Sequence, residues 1–230
     1  MASFSTTATI SEPEIPRAEG GRPDYGTRLR RARLGLLVAL TPILMLFVSF
    51  TSAYVVRQGL PTLDPRTNNL IRDWIPVALP RLLLLNTFVL LVSSLSMELA
   101  RRQLQSQVAL GTTSQVAGDT LAIKIRMPWL AATLVLGFAF LFGQWTAWQQ
   151  LAANGFYVAT TPSSSFVYLL TGAHAAHLLG GVLALIVGGI ASLLHRSLKT
   201  RSIVVDVTAW YWHFMAVLWI YIFCLMKFVR

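Results

Sequence analysis

Three histidines are the residues of this sequence with the clearest capacity for chemistry. His174 and His177 lie in one long apolar run, and His213 lies in the next. Each is about ten residues from the end of its run, which at about 1.5 Å per residue is near the middle of a bilayer. Imidazoles at matched depth on neighbouring helices are suitable ligands for haem or copper. One hypothesis is therefore a di-histidine haem or metal site.

A structural role for the same histidines is the competing hypothesis. A neutral imidazole donates one hydrogen bond and accepts another, so hydroxyls, carbonyls and indoles on neighbouring helices can satisfy it. His177 lies beside a series of small residues, which leaves little room for a haem. No carboxylate lies in the middle of these runs to orient a ligating imidazole. The pattern favours buried polar contacts over metal ligation.

The nine acidic residues all lie outside the middle of the apolar runs. Proton pumps and ion-coupled carriers typically place an ionisable acid inside the membrane. A proton channel or ion-coupled transporter formed by this chain alone is therefore disfavoured. Glu98 ends the second run beside Arg101 and Arg102, and Asp206 opens the fifth. We interpret Glu98 as a charge at the cytoplasmic face, with a role in proton collection as the alternative.

The elements that position these residues are predicted to be membrane-spanning helices. Of the 230 residues, 55% are hydrophobic and 12% are charged, and about twenty apolar residues in a row suffice to cross the hydrocarbon layer. Alternating patterns typical of a β-barrel are absent. The sequence therefore predicts an all-α integral membrane protein, a bundle of five transmembrane helices. The predicted spans are residues 34–56, 82–99, 129–148, 166–194 and 203–229.

Basic residues give the predicted orientation. Most of the 19 lysines and arginines fall on one side if the amino terminus is cytoplasmic, as the positive-inside rule requires. This places the carboxyl terminus in the periplasm. The same rule explains the net charge of +10 without nucleic-acid binding. Residues 1–33 are predicted to be a flexible basic cytoplasmic tail, and residues 34–230 the membrane domain.

The fourth span carries small residues at every fourth position. This spacing places them along one stripe of a helix, and small residues let transmembrane helices approach closely. We therefore predict a helix-packing ridge, against a helix of this chain or of a partner. Its members are Gly172, Ala176, Gly180, Ala184, Gly188 and Ser192.

Three segments resemble a known family. Residues 85–94 read LNTFVLLVSS, residues 164–181 read SSFVYLLTGAHAAHLLGG, and residues 210–219 read WYWHFMAVLW. In order and separation they resemble the motifs of subunit III of the haem–copper terminal oxidases, cytochrome c oxidase subunit III. The resemblance covers about residues 34–230. It is to the five-helix bacterial form, which lacks the first two helices of the seven-helix members.

The resemblance implies a subunit that carries no active site, haem or copper of its own. In the family those cofactors belong to subunits I and II, and the whole complex reduces oxygen to water and pumps protons. The expected partners are subunit I as the main contact, subunit II, and phospholipids, within a hetero-oligomeric complex of the bacterial inner membrane. The resemblance also implies buried polar contacts at His174, His177, Trp212, His213, Asn86 and Gln144.

The sequence departs from the family at three acidic positions. Ile43, Ala147 and Ala216 stand where the family usually has glutamate, glutamate and aspartate. These departures put in doubt any carboxylate-based proton site known for the family. The alternatives are the equivalent subunit of a quinol oxidase, the homologue that accompanies nitric oxide reductase, or a stand-alone di-histidine haem protein. The sequence separates the first two poorly from a cytochrome c oxidase, because the electron donor binds other subunits.

Overall fold

Five long helices make up most of the chain. The computed structural model describes residues 24–63, 68–71, 73–75, 77, 80–110, 119–193 and 198–229. The helices are α1 Tyr25–Gly59, α2 Leu82–Leu110, α3 Asp119–Ala153, α4 Pro162–Leu193 and α5 Leu198–Phe228. Each contains a segment long and apolar enough to cross a membrane. The predicted helical architecture with five spans is confirmed.

Most helices extend beyond the predicted spans. α1 begins at Tyr25, inside the predicted flexible tail, and Asp24 caps it by accepting a 2.7 Å hydrogen bond from the Tyr25 amide. The predicted tail therefore contains the first turns of a helix, while residues 1–23 lie outside the described residues. α2 likewise continues to Leu110. Hydropathy marks only the length needed to cross hydrocarbon, whereas arginine, leucine and alanine sustain a helix in water as well.

The connection between α3 and α4 has well-defined ends. Gly155 adopts φ +84°, and its amide bonds to the Ala152 carbonyl while the Phe156 amide bonds to the Leu151 carbonyl. This pair of bonds is a Schellman motif, which needs a left-handed residue and so favours glycine. At the start of α4, the amide of Ser164 donates to the hydroxyl of Thr161 at 3.2 Å.

A small hairpin lies between α1 and α2. Strand β1 (Thr62–Leu63) pairs antiparallel with strand β2 (Leu70–Ile71), and Asn68 between them has φ +54°. Arg57 at the end of α1 donates hydrogen bonds to Thr62 at 3.0 Å and to Asp73 at 2.5 Å. Nothing in the sequence marks these strands, because two-residue strands are too short to give a pattern.

Helix α5 is the centre of the bundle. It contacts α1, α2 and α4, while α3 packs between α2 and α4. Its two largest fully buried side chains are Trp212 and Trp219, which have no exposed surface. α1 runs parallel to α5, since Tyr25 reaches Ser202 near the start of α5 and Tyr54 reaches the carbonyl of Val229 beyond its end. The central helix therefore carries both the main packing residues and His213.

Candidate functional site

One fully buried acid lies where α1 and α5 begin and α2 ends, which we call the basic end of the bundle. Asp206 has no exposed surface. Arg33 donates to it twice, from Nε to Oδ2 at 2.7 Å and from Nη2 to Oδ1 at 2.9 Å. Arg101 and Gln105 on α2 reach Oδ1 at 3.2 and 2.9 Å. A buried charge needs such partners, so this carboxylate joins three helices.

Glu98 forms a second cluster beside the first. Its carboxylate accepts two bonds from Arg101, at 2.7 and 2.8 Å, and one from Arg102 at 2.7 Å. His213 Nε2 lies 3.3 Å from Glu98 Oε2, and His213 Nδ1 lies 2.6 Å from Ser94 Oγ. Both nitrogens of this imidazole are therefore engaged by protein side chains. Arg101 bridges Glu98 and Asp206, so the two clusters form one network.

The other two candidate histidines lie on α4 and have different surroundings. His177 Nδ1 lies 2.7 Å from the Ala173 carbonyl of its own helix, and its ring contacts Phe47 at 5.9 Å between centroids. The His174 ring lies 5.0 Å from the Trp219 ring. Within the described part of the chain, no three His, Cys, Asp or Glu side chains lie together as a metal site would need.

Tryptophan side chains link the helices through hydroxyl groups. Each indole nitrogen has one donor and no acceptor, so burial requires a partner such as a serine or threonine. The pairs are Trp212 with Ser93 at 3.1 Å, Trp219 with Thr87 at 3.0 Å, and Trp148 with Thr171 at 3.0 Å. These bonds use polar groups to specify helix pairing, as expected inside a membrane.

Asn86 joins α2 to α3. It is 4% exposed, and its Nδ2 donates a 3.1 Å hydrogen bond to the Phe140 carbonyl. Gly143 makes room for this amide, since a Cβ at that position would lie 2.8 Å from Asn86 Cγ. The contact therefore depends on both residues.

His174 and Gln144 differ from the other polar residues of the core. They are 0% and 2% exposed. Neither nitrogen of His174 has a hydrogen-bond partner among the described residues, and the same holds for Oε1 of Gln144. The sequence led us to expect that neighbouring helices would satisfy the imidazole. His174 is instead enclosed by rings, with Phe140 at 5.8 Å and Trp219 at 5.0 Å.

Much of the predicted small-residue ridge is exposed on the surface of the chain. Ala176, Gly180 and Ala184 are exposed and Gly172 is partly buried. The side-chain surroundings of Gly188 and Ser192 lie outside the described residues. Gly180 and Ala184 border a groove of about 360 Å³ between α1, α4 and α5. The groove is also lined by Leu36, Gly181, Val207, Thr208 and Tyr211.

Close helix packing inside the chain uses Gly181, the neighbour of the ridge. A Cβ at Gly181 would lie 2.7 Å from Cε1 of Tyr211 on α5. A Cβ at Gly180 would have nothing within 4 Å apart from its own helix and adjacent residues. The contact between α4 and α5 therefore needs Gly181, while the ridge at Gly180 is open.

Comparison with known proteins identifies the family. The profile described as "Cytochrome c oxidase subunit III" matches residues 27–229. The chain belongs to the cytochrome c oxidase subunit III family. Its five helices fit the bacterial form. Helices long and apolar enough to cross a membrane, together with bacterial relatives that are oxidase subunits, indicate a multi-pass membrane protein.

Several named relatives of this subunit III family member are bacterial. A "Probable cytochrome c oxidase subunit 3" of Mycobacterium leprae is 26% identical over 199 residues, covering 86% of this chain and 87% of the relative. The "Cytochrome c oxidase subunit 3" of Corynebacterium diphtheriae is 29% identical over 120 residues, 52% and 57% of the two chains. The subunit 3 of Triticum aestivum is 28% identical over 198 residues, covering 83% of this chain and 66% of the relative.

Sequence reasoning missed the network at the basic end of this subunit III family member. It placed Asp206 at the opening of a span and Arg33 at the end of a basic tail, without connecting them. The signal was present, because an acid inside a helix that spans hydrocarbon must be paired. The partner of Asp206 is 173 residues away, and Gln105 and Ser94 carry no charge to mark them.

Proposed function

We propose that this chain is a non-redox structural subunit of an aerobic respiratory haem–copper oxidase, in which it supports the catalytic subunit. The family match over residues 27–229 carries the proposal. The described polar residues are compatible with it. The polar residues clustered around Asp206 and Glu98 form contacts between helices. Both ring nitrogens of His213 contact protein side chains.

Haem and copper would belong to the partner subunits I and II, and subunit I would be the main contact. The exposed ridge on α4 supports a partner, because small residues allow close approach of a second helix. We place this contact at Ala176, Gly180 and Ala184, where the chain itself leaves the helix open. Phospholipids would cover the remaining apolar surface.

The proposed orientation places the amino terminus in the cytoplasm and the carboxyl terminus in the periplasm of a bacterial inner membrane. The basic end of the bundle would then be cytoplasmic, as the positive-inside rule favours. Glu98 would lie at this face as a structural charge, since two arginines and His213 already engage it.

Cytochrome c is the proposed electron donor of the complex. The named relatives are described as subunits of cytochrome c oxidase, a name that gives cytochrome c as the electron donor. The equivalent subunit of a quinol oxidase, or the homologue that accompanies nitric oxide reductase, is the alternative, because the electron donor binds other subunits.

The decisive experiment is purification of the tagged full chain from membranes in a mild detergent. We expect a stoichiometric haem–copper catalytic subunit to accompany it, and a haem spectrum that disappears when the partner is removed. Oxidation of reduced cytochrome c by the complex would identify the donor, whereas oxidation of a quinol alone would favour the alternative.

A haem band on the isolated chain would overturn the proposal. The band would have to be stoichiometric and vanish in His174→Ala or in His213→Ala. That result would instead establish the stand-alone di-histidine haem protein.

A further inference from the structure

We propose that this chain binds an ordered water molecule in its core between α3 and α4, held by Gln144 and His174. Both side chains are buried, at 2% and 0% exposure. Gln144 Oε1 and the two ring nitrogens of His174 have no hydrogen-bond partner among the described residues. Buried polar groups in proteins nearly always have a partner, and internal water commonly supplies it.

The packing of α3 against α4 places the two side chains at one level. Phe140 contacts the His174 ring at 5.8 Å, and Trp148 bonds to Thr171 at 3.0 Å. Gln144 is one helical turn from both Phe140 and Trp148, so it shares their face. His174 is three residues from Thr171 and shares its face in the same way. The two groups without partners therefore lie within one turn of the same interface.

The donors and acceptors that lack a partner favour a bridging group. A neutral imidazole has one donor nitrogen and one acceptor nitrogen. Together with Gln144 Oε1, the three atoms without a partner are therefore two acceptors and one donor. A direct bond from His174 to Gln144 would use the donor and leave the acceptor nitrogen unpaired. A water molecule has two donors and can serve both acceptors.

Three nearby side chains donate hydrogen bonds to other groups. Trp219, whose ring lies beside His174, donates its N–H to Thr87 at 3.0 Å. Asn86 Nδ2 donates to the Phe140 carbonyl at 3.1 Å. The Thr171 hydroxyl donates to the Val167 carbonyl at 2.6 Å. The aromatic faces around His174 are weak acceptors and supply no donor to its second nitrogen.

The proposed water site lies within the chain's own core and needs no partner subunit. It is tested on the full chain in lipid nanodiscs and on the purified complex at a resolution that reveals water. We expect one density peak within hydrogen-bonding distance of both Gln144 and His174. A dry contact, with the two side chains bonded directly or packed without water, would overturn the proposal.

A double-mutant cycle provides the second measurement. Gln144→Met and His174→Phe should each lower the thermal midpoint of the full chain by roughly 2–6 °C, because each strands the other polar group. The thermal midpoint of the double variant should fall by clearly less than the sum of the two single losses, since no polar group is then left without a partner. Gln149→Met, at an exposed position of the same helix, should leave the midpoint unchanged. Additive losses would show that the two side chains share no water.

Discussion

Asp206 on α5 and Arg33 on α1 form a two-bond ion pair, with distances of 2.7 and 2.9 Å, around a carboxylate that has no exposed surface. At the opposite end of these parallel helices, the hydroxyl of Tyr54 donates to the carbonyl of Val229 at 2.8 Å. α1 is thus attached to the central helix at both ends. The ion pair is the stronger attachment, because it is charged and its carboxylate is buried.

Asp206→Asn should destabilise the basic end of the bundle. The substitution removes the charge that two arginines face and keeps the shape. Removing one member of a fully buried pair costs about 3–5 kcal/mol, and the loss here should be smaller because the Arg33 side chain is 39% exposed and water can solvate it. We expect a lower thermal midpoint and earlier loss of the chain from its complex on native gels. Arg102→Gln, at an arginine whose side chain is 73% exposed, is the matched control and should change the midpoint little.

Glu98→Gln should weaken the bundle without changing the chemistry of the complex. Glu98 is held by Arg101, Arg102 and His213, which indicates a structural charge. The initial rate of oxygen consumption and the protons pumped per electron should stay within error of the parent, while the thermal midpoint falls. A reduced proton yield at unchanged subunit content would instead assign Glu98 to proton collection.

Two adjacent glycines should respond differently to the same substitution. Gly181→Ala places a methyl group 2.7 Å from the Tyr211 ring, whereas Gly180→Ala places it in open space. Overpacking of this kind typically costs about 1–3 kcal/mol. The thermal midpoint of the isolated full chain should therefore fall for Gly181→Ala only. Equal effects of the two variants would contradict the assignment of packing faces on α4.

Gly180→Leu tests the outer ridge as a partner surface. The larger side chain would block close approach of a second helix. The isolated chain should keep its thermal midpoint, while its retention by the catalytic subunit on native gels should weaken, with little change in the initial oxidase rate. Leu179→Ile, at a neighbouring exposed position of α4, is the control for surface change. Normal retention of Gly180→Leu would remove the ridge from the interface.

The loop between α1 and α2 should loosen in acid. The hydrogen bond from Arg57 lowers the pKa of Asp73 below its ordinary value. A depressed pKa contributes stability above the unfolded value, about 3.9, and the contribution is lost as pH falls through the folded value. Protection of the hairpin amides against hydrogen exchange, relative to the intrinsic rate at each pH, should therefore fall below about pH 4. In the Asp73→Asn variant, the hairpin amides should exchange faster at neutral pH, and their protection should no longer fall in acid.

The sequence by itself determined the number and kind of the helices. Whether residues 129–148 cross a membrane depends on their own apolar content, which is a local property. The motifs of residues 164–181 and 210–219 were also readable without coordinates, and they led to the family. The four-residue spacing of small residues on α4 was evident from the sequence. Which side of that helix would be covered by a neighbour was not evident.

Only the tertiary structure decided which polar groups meet. His213 contacts Ser94 and Glu98, which are 119 and 115 residues distant in the chain, and Asp206 contacts Arg33 across 173 residues. His174 has the same residue type as His213 and a similar predicted depth, yet it lies among aromatic rings. Hydropathy and spacing fix each helix separately, whereas partners depend on the rotation and pairing of helices, which the packing of all five sets together.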